Sequence, residues 1–363
     1  MVPTSIVVGG QLHRLPMMWI GQSVDTSILH ITVPEFRGLP VLTSLGCAIR
    51  RPSLLVRRFG PNLKATLNVA GPLMLDSGGF AMMKNKARNW TAEDVSSVYH
   101  RVDADIVVSL DIPPGLNDRR GARAIKLERT LNNLAILAPR FGQRLMPVVQ
   151  GRTQQEVMEC CEGIAKRLDS PQWVGIGGLV PLLQRSGLFR NPSRNTPQAK
   201  IATTLQIVRA YFPKSVLHVF GVGSIQTMLA LFSLGAHSAD SIGWRQAAGF
   251  GSIYLPGRNQ RLLSWKSNSA QPRPLIDAAD RALLAECNCP ACRPIELLQN
   301  RIRRLNRNFT PRSLHNLWVL RREIDSLIAA QERHREMEFL SPRLSAPWLA
   351  AISESRSGQF WPR

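Results

Sequence analysis

The stretch PLMLDSGGF, residues 72–80, joins a short apolar run to an acidic residue and a pair of glycines. Short apolar runs that end in polar or glycine clusters are typical of buried β-strands. The same arrangement recurs further along the chain, in ADIVVSLDIPPG (104–115), RLMPVVQG (144–151), QWVGIGG (172–178), SVLHVFGVGS (215–224) and AHSADSIGW (236–244). The repeated pattern predicts six strands of one parallel sheet that is buried on both faces.

Helical segments separate these runs. The spacing of apolar residues predicts helices over 122–138, 154–168, 197–211 and 225–234. Strands that alternate with helices are typical of parallel βα units, and two further strands are predicted over 29–33 and 40–45. Eight such units predict an α/β protein of the (β/α)8 TIM-barrel class. An open doubly wound sheet is the alternative, because periodicity does not count the strands of a barrel.

Polar residues and glycines follow the predicted strands at one relative position: Asp76, Asp111, Gln150, Gly177 with Gly178, Gly221 and Asp240. Barrel enzymes place their catalytic groups at the carboxyl ends of the strands. Asp and Gly also favour turns, so a turn explains any one of these residues equally well. Their shared position after six strands predicts a single pocket.

The residue types in this pocket indicate its chemistry. Three carboxylates close together cannot all ionise freely, since each charge raises the pKa of its neighbours. We therefore expect one nucleophile, one general acid and base, and one acceptor for a substrate edge. Phe80 is suited to stacking on a planar ring, and the Gln150 amide to pairing with the edge of a nucleobase. The set predicts a purine site.

The charge of the chain points to a polyanionic partner. The formal net charge is +21, and Asp240 is the one carboxylate side chain between Asp169 and Asp277, a stretch that holds eleven Lys and Arg residues. The basic residues are spread along the chain, and no amphipathic basic helix stands alone. We therefore predict nucleic acid, rather than an anionic membrane surface, as the partner.

Two basic segments are the predicted contacts with phosphate. One is Arg245, five positions after Asp240, and the other is RIRRLNRNF (301–309), with Arg301, Arg303 and Arg304. A solvated surface is the alternative for the second segment. The N-terminus does not resemble a signal peptide, and no apolar stretch reaches the roughly 18 residues of a membrane span, so we expect a soluble cytoplasmic protein.

The cysteines predict a metal site. Cys287, Cys289 and Cys292 form a CxCxxC pattern, and His315 follows 23 positions later. Three thiolates and an imidazole make a closed tetrahedral Zn²⁺ site, which is structural because no coordination position remains for water. The alternative is three free thiols and a core histidine, which is disfavoured because grouped exposed thiols oxidise readily. Cys160 and Cys161 lie in a helical pattern and are predicted to be core or half-buried thiols.

These features divide the chain into four parts. Residues 1–285 are predicted to form the catalytic barrel, 286–320 a small zinc-binding subdomain, 321–340 a last helix packed on the barrel, and 341–363 a loosely ordered basic tail.

The motifs together resemble the tRNA-guanine transglycosylase superfamily over residues 70–320. The resemblance rests on DSGGF (76–80), VVQG (148–151), IGGL (176–179), FGVGS (220–224), ADS (239–241) and the Cys3His pattern, all in the family's order. It implies a (β/α)8 barrel with a zinc subdomain near the last barrel helix. It also implies exchange of a guanine in a polynucleotide for a 7-deazaguanine base.

The resemblance implies a role for each pocket residue. Asp240 would attack C1′ of the target nucleoside and form a covalent intermediate, and Asp76 would protonate the leaving base and deprotonate the incoming one. Phe80 would stack on the base, and Asp111 would accept hydrogen bonds from its N1 and N2 edge. The O6 atom would bind Gln150 and the backbone N–H of Gly178, next to Gly177.

Departures from the family bear on the substrate. Bacterial members that act on tRNA follow DSGGF with Gln, where this chain has Ala81, and carry Pro-Thr-Arg after the nucleophile, where it reads SIGWRQ (241–246). The Asp-Ser pair with Trp244 is closer to the archaeal members, whose long C-terminal RNA-binding extension we expect this chain to lack. DNA-modifying transglycosylases share that form, so the pattern favours DNA slightly over tRNA.

Two other functions stay open at this stage. A non-catalytic nucleic-acid-binding subunit would keep the barrel and the zinc site, although the presence of every catalytic residue type argues against it. A zinc-dependent hydrolase is disfavoured because the metal site is closed. Related enzymes are often dimers, so a homodimer or a partner subunit is also an expectation.

Overall fold

A computed structural model describes residues 3–23, 29–48, 60–79, 81, 90–115, 117–179, 196–264 and 274–357. In this part of the chain the strands are β1 (Ser5–Val8), β2 (Gln11–Arg14), β3 (Met17–Gly21), β4 (Val41–Ser44), β5 (Leu73–Asp76), β6 (Ile106–Val108), β7 (Leu145–Met146), β8 (Val148–Val149), β9 (Trp173–Ile176), β10 (Val216–Val219), β11 (Ser238–Ser241), β12 (Ser252–Leu255) and β13 (Asn259–Leu262).

Strands β3 to β11 form one parallel sheet that closes into a barrel. The strand order is β7-β6-β5-β4-β3-β11-β10-β9-β8. The two ends of this order, β7 and β8, are halves of one extended segment, interrupted at Pro147, which has no N–H to donate. Since β7 pairs with β6 and β8 pairs with β9, this segment joins the edges of the sheet. The result is the predicted (β/α)8 barrel, with eight barrel strands when β7 and β8 are counted as one.

Alternate residues of the eight barrel strands point into the barrel and fill its interior. On all of them except β11, the inward-facing residues include buried apolar side chains of one cluster: Met17, Trp19, Leu42, Met74, Ile106, Val108, Met146, Val148, Trp173 and Val216. Side chains in a strand alternate between faces, so residues two positions further along also point inward. On four barrel strands, the residue two positions after the apolar one is polar: Ser44, Asp76, Gln150 and His218. The barrel therefore changes from apolar to polar at its carboxyl end.

The α-helices are α1 (Leu63–Thr66), α2 (Ala92–Tyr99), α3 (Arg120–Phe141), α4 (Gln154–Ala165), α5 (Pro197–Tyr211), α6 (Ile225–Ser233), α7 (Gly243–Gly249), α8 (Ala278–Ala285), α9 (Leu298–Arg307), α10 (Phe309–Glu332), α11 (Glu336–Leu340) and α12 (Ala346–Arg356). Short 3₁₀ helices span His30–Thr32, Pro34–Phe36, Leu45–Ala48 and Gly142–Arg144.

Helices α3 to α6 agree with the four helices predicted from the sequence. Three of them begin at a side-chain cap: Thr153, Thr196 and Ser224 accept hydrogen bonds from the backbone N–H three residues later. Each cap stabilises the helix start by about 1 kcal/mol. The helices cover the outer face of the sheet, where Cys160 and Cys161 are fully buried, as predicted.

One predicted strand is wrong. The segment 29–33 contains a 3₁₀ turn, in which the Thr32 hydroxyl donates to the Leu29 carbonyl at 2.8 Å, and Pro34 starts a second 3₁₀ helix. The barrel strand that the sequence did not predict is β3, a run of five buried residues. Its sequence MMWIG has one β-branched residue, so composition alone favoured LHITV. The strand predicted over 40–45 is present as β4.

A smaller unit follows the barrel. The hairpin β12-β13, helices α8 and α9 and the cysteine loop share an apolar core, which includes Ile253, Leu255, Leu284, Cys289, Cys292 and Leu305. This core reaches back to β12, so the packing around the cysteines begins before the predicted boundary at residue 286. Helix α10 runs from this unit along the barrel and contains the first part of the segment 321–340 that was predicted as the last helix.

The predicted loosely ordered tail contains a helix. Residues 346–356 form α12, which packs against α5 and buries Trp348 and Ile352. Two large apolar side chains on one face stabilise such a helix, a signal that the surrounding Ser, Pro and Arg residues obscure. Residues 358–363 lie outside the described part of the chain. Among the described helices, none combines the length and the apolar composition that crossing a membrane requires.

Candidate active site and metal centre

The DSGGF backbone brings two strand ends together because it has no side chains at its glycines. Gly78 has φ +83°, and a Cβ there would lie 2.5 Å from the Gly46 nitrogen. A Cβ on Gly79 would overlap the carbonyl oxygen and the carboxylate of Asp111. Only glycine permits both the positive φ and the close approach. The motif therefore packs the end of β5 against Gly46, two residues after β4, and against Asp111, three residues after β6.

Asp76 ends β5 and points into the mouth of the barrel. Its Oδ2 accepts hydrogen bonds from the Ser44 hydroxyl at 2.6 Å and from the Gly78 N–H at 3.1 Å. Burial raises the pKa of this carboxyl above its usual value, and the charge of Asp240 raises it further. A raised pKa favours the protonated form of Asp76, which is the form that a general acid needs.

Asp111 is a buried carboxyl in the pocket. Burial, with a contribution from the charge of Asp76, raises the pKa of its carboxyl to about 8. The Gln150 side-chain N–H donates to its Oδ2. Its carboxylate becomes the predominant form only when pH rises through 8 or when donors from a ligand reach it.

Gln150 and the two glycines line the adjacent wall of the pocket. The Gln150 backbone N–H donates to the Cys160 sulfur at 3.4 Å, and its side-chain Oε1 is buried without a hydrogen-bond partner among the described residues. The Gly177 N–H is used in the sheet, where it donates to Val149 at 3.0 Å. Gly178 has φ +71° and follows directly. Of the two predicted glycines, only Gly178 has a backbone N–H without an acceptor among the described residues.

Asp240 lies on β11, next to the end of β10. Its Oδ1 accepts a hydrogen bond from the Gly221 N–H at 2.8 Å, and Gly221 presents that N–H with φ +76°. The side chain is 13% exposed, which is enough for a substrate atom to reach it. A fixed carboxylate at the edge of a buried pocket is what a nucleophile requires.

His218 is a residue of the site that the sequence did not identify. A histidine within a strand pattern is more often a core residue than a functional one, and His218 is indeed fully buried. Its Nε2 lies 3.5 Å from Asp240 Oδ1, and its Nδ1 is hydrogen-bonded to Ser238 Oγ at 2.9 Å. The sequence signal that could have found it is the alternation of side chains along a strand, since His218 follows the inward-facing Val216 by two positions.

The structure thus brings Asp76, Asp111, Gln150, Gly178 and Asp240 to one end of the barrel. Phe80, the predicted stacking residue, lies outside the described residues, so its role stays a prediction. Chemically, the pocket offers a carboxyl that can hold a proton, an oriented carboxylate, and a neighbouring carboxyl and amide that can pair with donors and acceptors of a flat ligand.

The cysteine cluster forms a compact set of metal ligands. The ligand atoms of Cys287, Cys289, Cys292 and His315 all lie within 4.8 Å of one another. His315 Nδ1 is 3.4–3.7 Å from the three sulfurs, and its Nε2 is 2.9 Å from the Tyr254 carbonyl oxygen. That carbonyl fixes the proton on Nε2 and leaves Nδ1 for the metal. The four residues can hold a metal ion, and the donor set is of the type that binds Zn²⁺.

The predicted phosphate contacts differ in their surroundings. Arg303 and Arg304 are exposed on α9. Arg245 is partly buried, with its guanidinium 5.5 Å from the centre of the Phe309 ring. Arg301 donates hydrogen bonds to the carbonyls of Leu284, Ala285, Cys287 and Ile295. These bonds brace the cysteine loop, so Arg301 has fewer N–H groups left for a phosphate than its two neighbours.

The sequence of the chain is similar to those of known proteins. Residues 35–345 match the family described as queuine tRNA-ribosyltransferase. A tRNA-guanine(15) transglycosylase of Methanothermobacter thermautotrophicus is 25% identical over 84% of this chain and 43% of its own length. The corresponding proteins of Archaeoglobus fulgidus (25% identical, 76% of this chain, 52% of the relative) and Methanosarcina acetivorans (22% identical, 84% and 57%) are similar.

The chain spans about half the length of these curated relatives. The family match, in contrast, covers most of the chain, from the segment before β4 to the residue before α12, and so includes both the barrel pocket and the cysteine cluster. The chain therefore belongs to the queuine tRNA-ribosyltransferase family, within the tRNA-guanine transglycosylase superfamily.

Proposed function

We propose that this protein is a guanine transglycosylase that exchanges a guanine of a tRNA for another base through a covalent intermediate on Asp240. The observation that carries the proposal is the arrangement of the three aspartates. Asp240 is oriented by the Gly221 N–H, while burial raises the pKa of both Asp76 and Asp111. Environments that separate the ionisation of neighbouring carboxyls divide acid, base and nucleophile among them.

The first half of the reaction uses Asp240 and Asp76. A carboxylate oxygen of Asp240 attacks C1′ of the target nucleotide, and the bond from C1′ to the guanine nitrogen breaks. Asp76, which enters protonated, gives its proton to the departing guanine. An anion on one face of the sugar and an acid beside the base stabilise the oxocarbenium-like transition state. The products are neutral guanine and an ester between Asp240 and the polynucleotide.

The second half reverses these roles. The Asp76 carboxylate removes a proton from the ring nitrogen of the incoming base, and that nitrogen attacks C1′. The ester bond breaks and returns Asp240 as a carboxylate. Because Asp76 is an acid in one half and a base in the other, it must alternate between its two protonation states in each turnover.

Recognition of the base falls to Asp111 and its neighbours. The N1–H and N2–H groups of a guanine edge would donate to the Asp111 carboxylate, and O6 would accept from the Gln150 amide and from the Gly178 N–H. The incoming base shares this edge, and a 7-deazaguanine satisfies the same contacts. Phe80 is proposed to stack on the ring plane.

We choose tRNA, rather than DNA, as the polynucleotide. The sequence alone favoured DNA slightly, but the relatives above are tRNA-guanine(15) transglycosylases, and their names support the tRNA alternative. Arg245, Arg303 and Arg304 are the proposed phosphate contacts, with a smaller share for Arg301. Zinc in the Cys3His cluster is proposed to be structural, and it would hold the cysteine loop against α10.

The experiment is incorporation of labelled guanine into tRNA or into duplex DNA, with Asp240→Asn as the test variant. The exposed Asp169→Asn variant is the control, since it removes one carboxylate far from the pocket. We expect the wild type and the control to label tRNA and the Asp240 variant to label neither polymer. Label in DNA alone would overturn the choice of tRNA, and label in neither polymer would overturn the transglycosylase proposal.

A further inference from the structure

We propose that His218 is a positioning residue for Asp240, held by Trp19 and Ser238 so that its Nε2–H faces Asp240 Oδ1 and leaves Oδ2 as the attacking oxygen. The chemical consequence, which oxygen attacks, rests on the proposed function, in which Asp240 is the nucleophile. The arrangement itself rests on hydrogen-bond geometry within the barrel.

The direction of the hydrogen bonds follows from Trp19. An indole N–H can only donate, and Trp19 Nε1 donates to Ser238 Oγ at 2.8 Å. The Ser238 hydroxyl then has its own hydrogen to place, and among the described residues its other partner is His218 Nδ1, at 2.9 Å. If His218 Nδ1 carried the proton instead, the buried hydroxyl hydrogen would lack an acceptor, which is costly. His218 Nδ1 is therefore the acceptor, and the proton is on Nε2.

Packing fixes the direction of that proton. His218 is fully buried, and its ring meets the Phe220 ring edge-on, with centroids 4.5 Å apart. Its Nε2 makes no hydrogen bond within the described residues but lies 3.5 Å from Asp240 Oδ1. That distance is at the long limit of a hydrogen bond, and such contacts commonly shorten when the substrate is bound.

The two carboxylate oxygens of Asp240 are consequently not equivalent. Oδ1 accepts from the Gly221 N–H at 2.8 Å and faces His218, whereas Oδ2 has no hydrogen-bond partner among the described residues. The oxygen without donors is the better nucleophile. When the ester later breaks, negative charge returns to the carboxylate, and an N–H aimed at Oδ1 stabilises it more in that transition state than in the ester.

The kinetic test compares His218→Leu with His218→Gln, whose amide can supply an N–H at the place of Nε2. We expect kcat for guanine exchange to fall about 10- to 100-fold in the Leu variant, as for loss of one donor to a charged group, with KM for tRNA changed less than about 2-fold. The Gln variant should recover a large part of kcat. His237→Gln is the control, because His237 is also buried but bonds to Arg209.

Three outcomes decide the kinetic part. The proposal is supported if kcat falls in His218→Leu, recovers in His218→Gln and is unchanged in His237→Gln, at equal zinc content and melting temperature. It is overturned if kcat of the Leu variant is unchanged, or if the Leu and Gln variants lose the same activity, since packing alone would then explain the loss.

The tautomer of His218 tests the arrangement without enzymatic activity. The ring ¹⁵N shifts of labelled protein, assigned by their loss in His218→Gln, should show Nδ1 unprotonated and Nε2 protonated in the wild type. We expect this preference to disappear in Ser238→Ala. A wild-type Nδ1–H tautomer would overturn the proposal even if the enzyme exchanges guanine. A protein without exchange activity would refute the proposed function, while the tautomer would still decide the arrangement.

Discussion

If the pocket binds guanine as proposed, the raised pKa of Asp111 makes that binding depend on pH, and the dependence can be calculated. Burial and the charge of Asp76 raise that pKa to about 8. An Asp111 carboxyl with a pKa of 8 is about 1% ionised at pH 6 and half ionised at pH 8. If only the ionised form accepts from N1–H and N2–H, the apparent Kd for free guanine is the intrinsic Kd divided by the ionised fraction. We therefore expect Kd to be about 50-fold higher at pH 6 than at pH 8.

Calorimetric titration of free guanine measures this without the chemical step. The Asp111→Asn variant is the control, because an amide does not titrate and its weaker binding should be independent of pH over the same interval. A wild-type Kd that is constant between pH 6 and pH 8 would contradict the prediction, since Asp111 would then be ionised throughout.

The same carboxyl links pH to stability. Its pKa is raised on folding, so the stabilisation from its neutral form is complete below about pH 4 and is lost as pH rises through 8. Between pH 4 and pH 8 the wild type should lose about 2–5 kcal/mol of unfolding free energy that Asp111→Asn does not lose. Urea titrations of both proteins at the two pH values measure the difference, and parallel curves would contradict it.

Three further predictions concern other parts of the molecule. Cys287→Ser should reduce bound zinc from about one ion per chain to a small fraction by metal analysis and lower the melting temperature; unchanged zinc content would reject the site. Gly79→Ala should lower the melting temperature and weaken guanine binding because its Cβ would overlap Asp111, whereas Gly121→Ala, where a Cβ meets no atom within 4 Å, should do neither. The double variant Arg303→Gln and Arg304→Gln should weaken tRNA binding and reduce, by about 2, the slope of the logarithm of the association constant against the logarithm of salt concentration. An unchanged slope would show that neither residue contacts phosphate.

The parts of the site that the sequence predicted are those whose signal is local. Asp76 stands at the end of an apolar run and two positions before a glycine pair, so both its strand and its place in the mouth follow from nine residues of sequence. The three cysteines are grouped within six positions. Each of these signals depends on neighbours in the chain and not on how distant segments pack.

The features that the sequence did not predict depend on contacts between distant segments. Ser238 lies 20 positions from His218, and Trp19 lies 219 positions from Ser238, so their hydrogen bonds exist only once β3, β11 and β10 have paired. Arg301 was predicted to contact phosphate from its basic surroundings, whereas its carbonyl partners lie on the other side of the cysteine loop. Alternation in β10 does indicate an inward-facing histidine, but not what it faces.

The most direct test of the account is the covalent intermediate itself. The protein is mixed with tRNA, quenched in denaturant before the second base is supplied, and the adduct is separated on a denaturing gel, digested and mapped by mass spectrometry. We predict a tRNA-linked species whose modified peptide contains Asp240 and which is absent in Asp240→Asn. A denaturant-resistant adduct that persists in the Asn variant, or one that maps to Asp76, would contradict the assignment of the nucleophile.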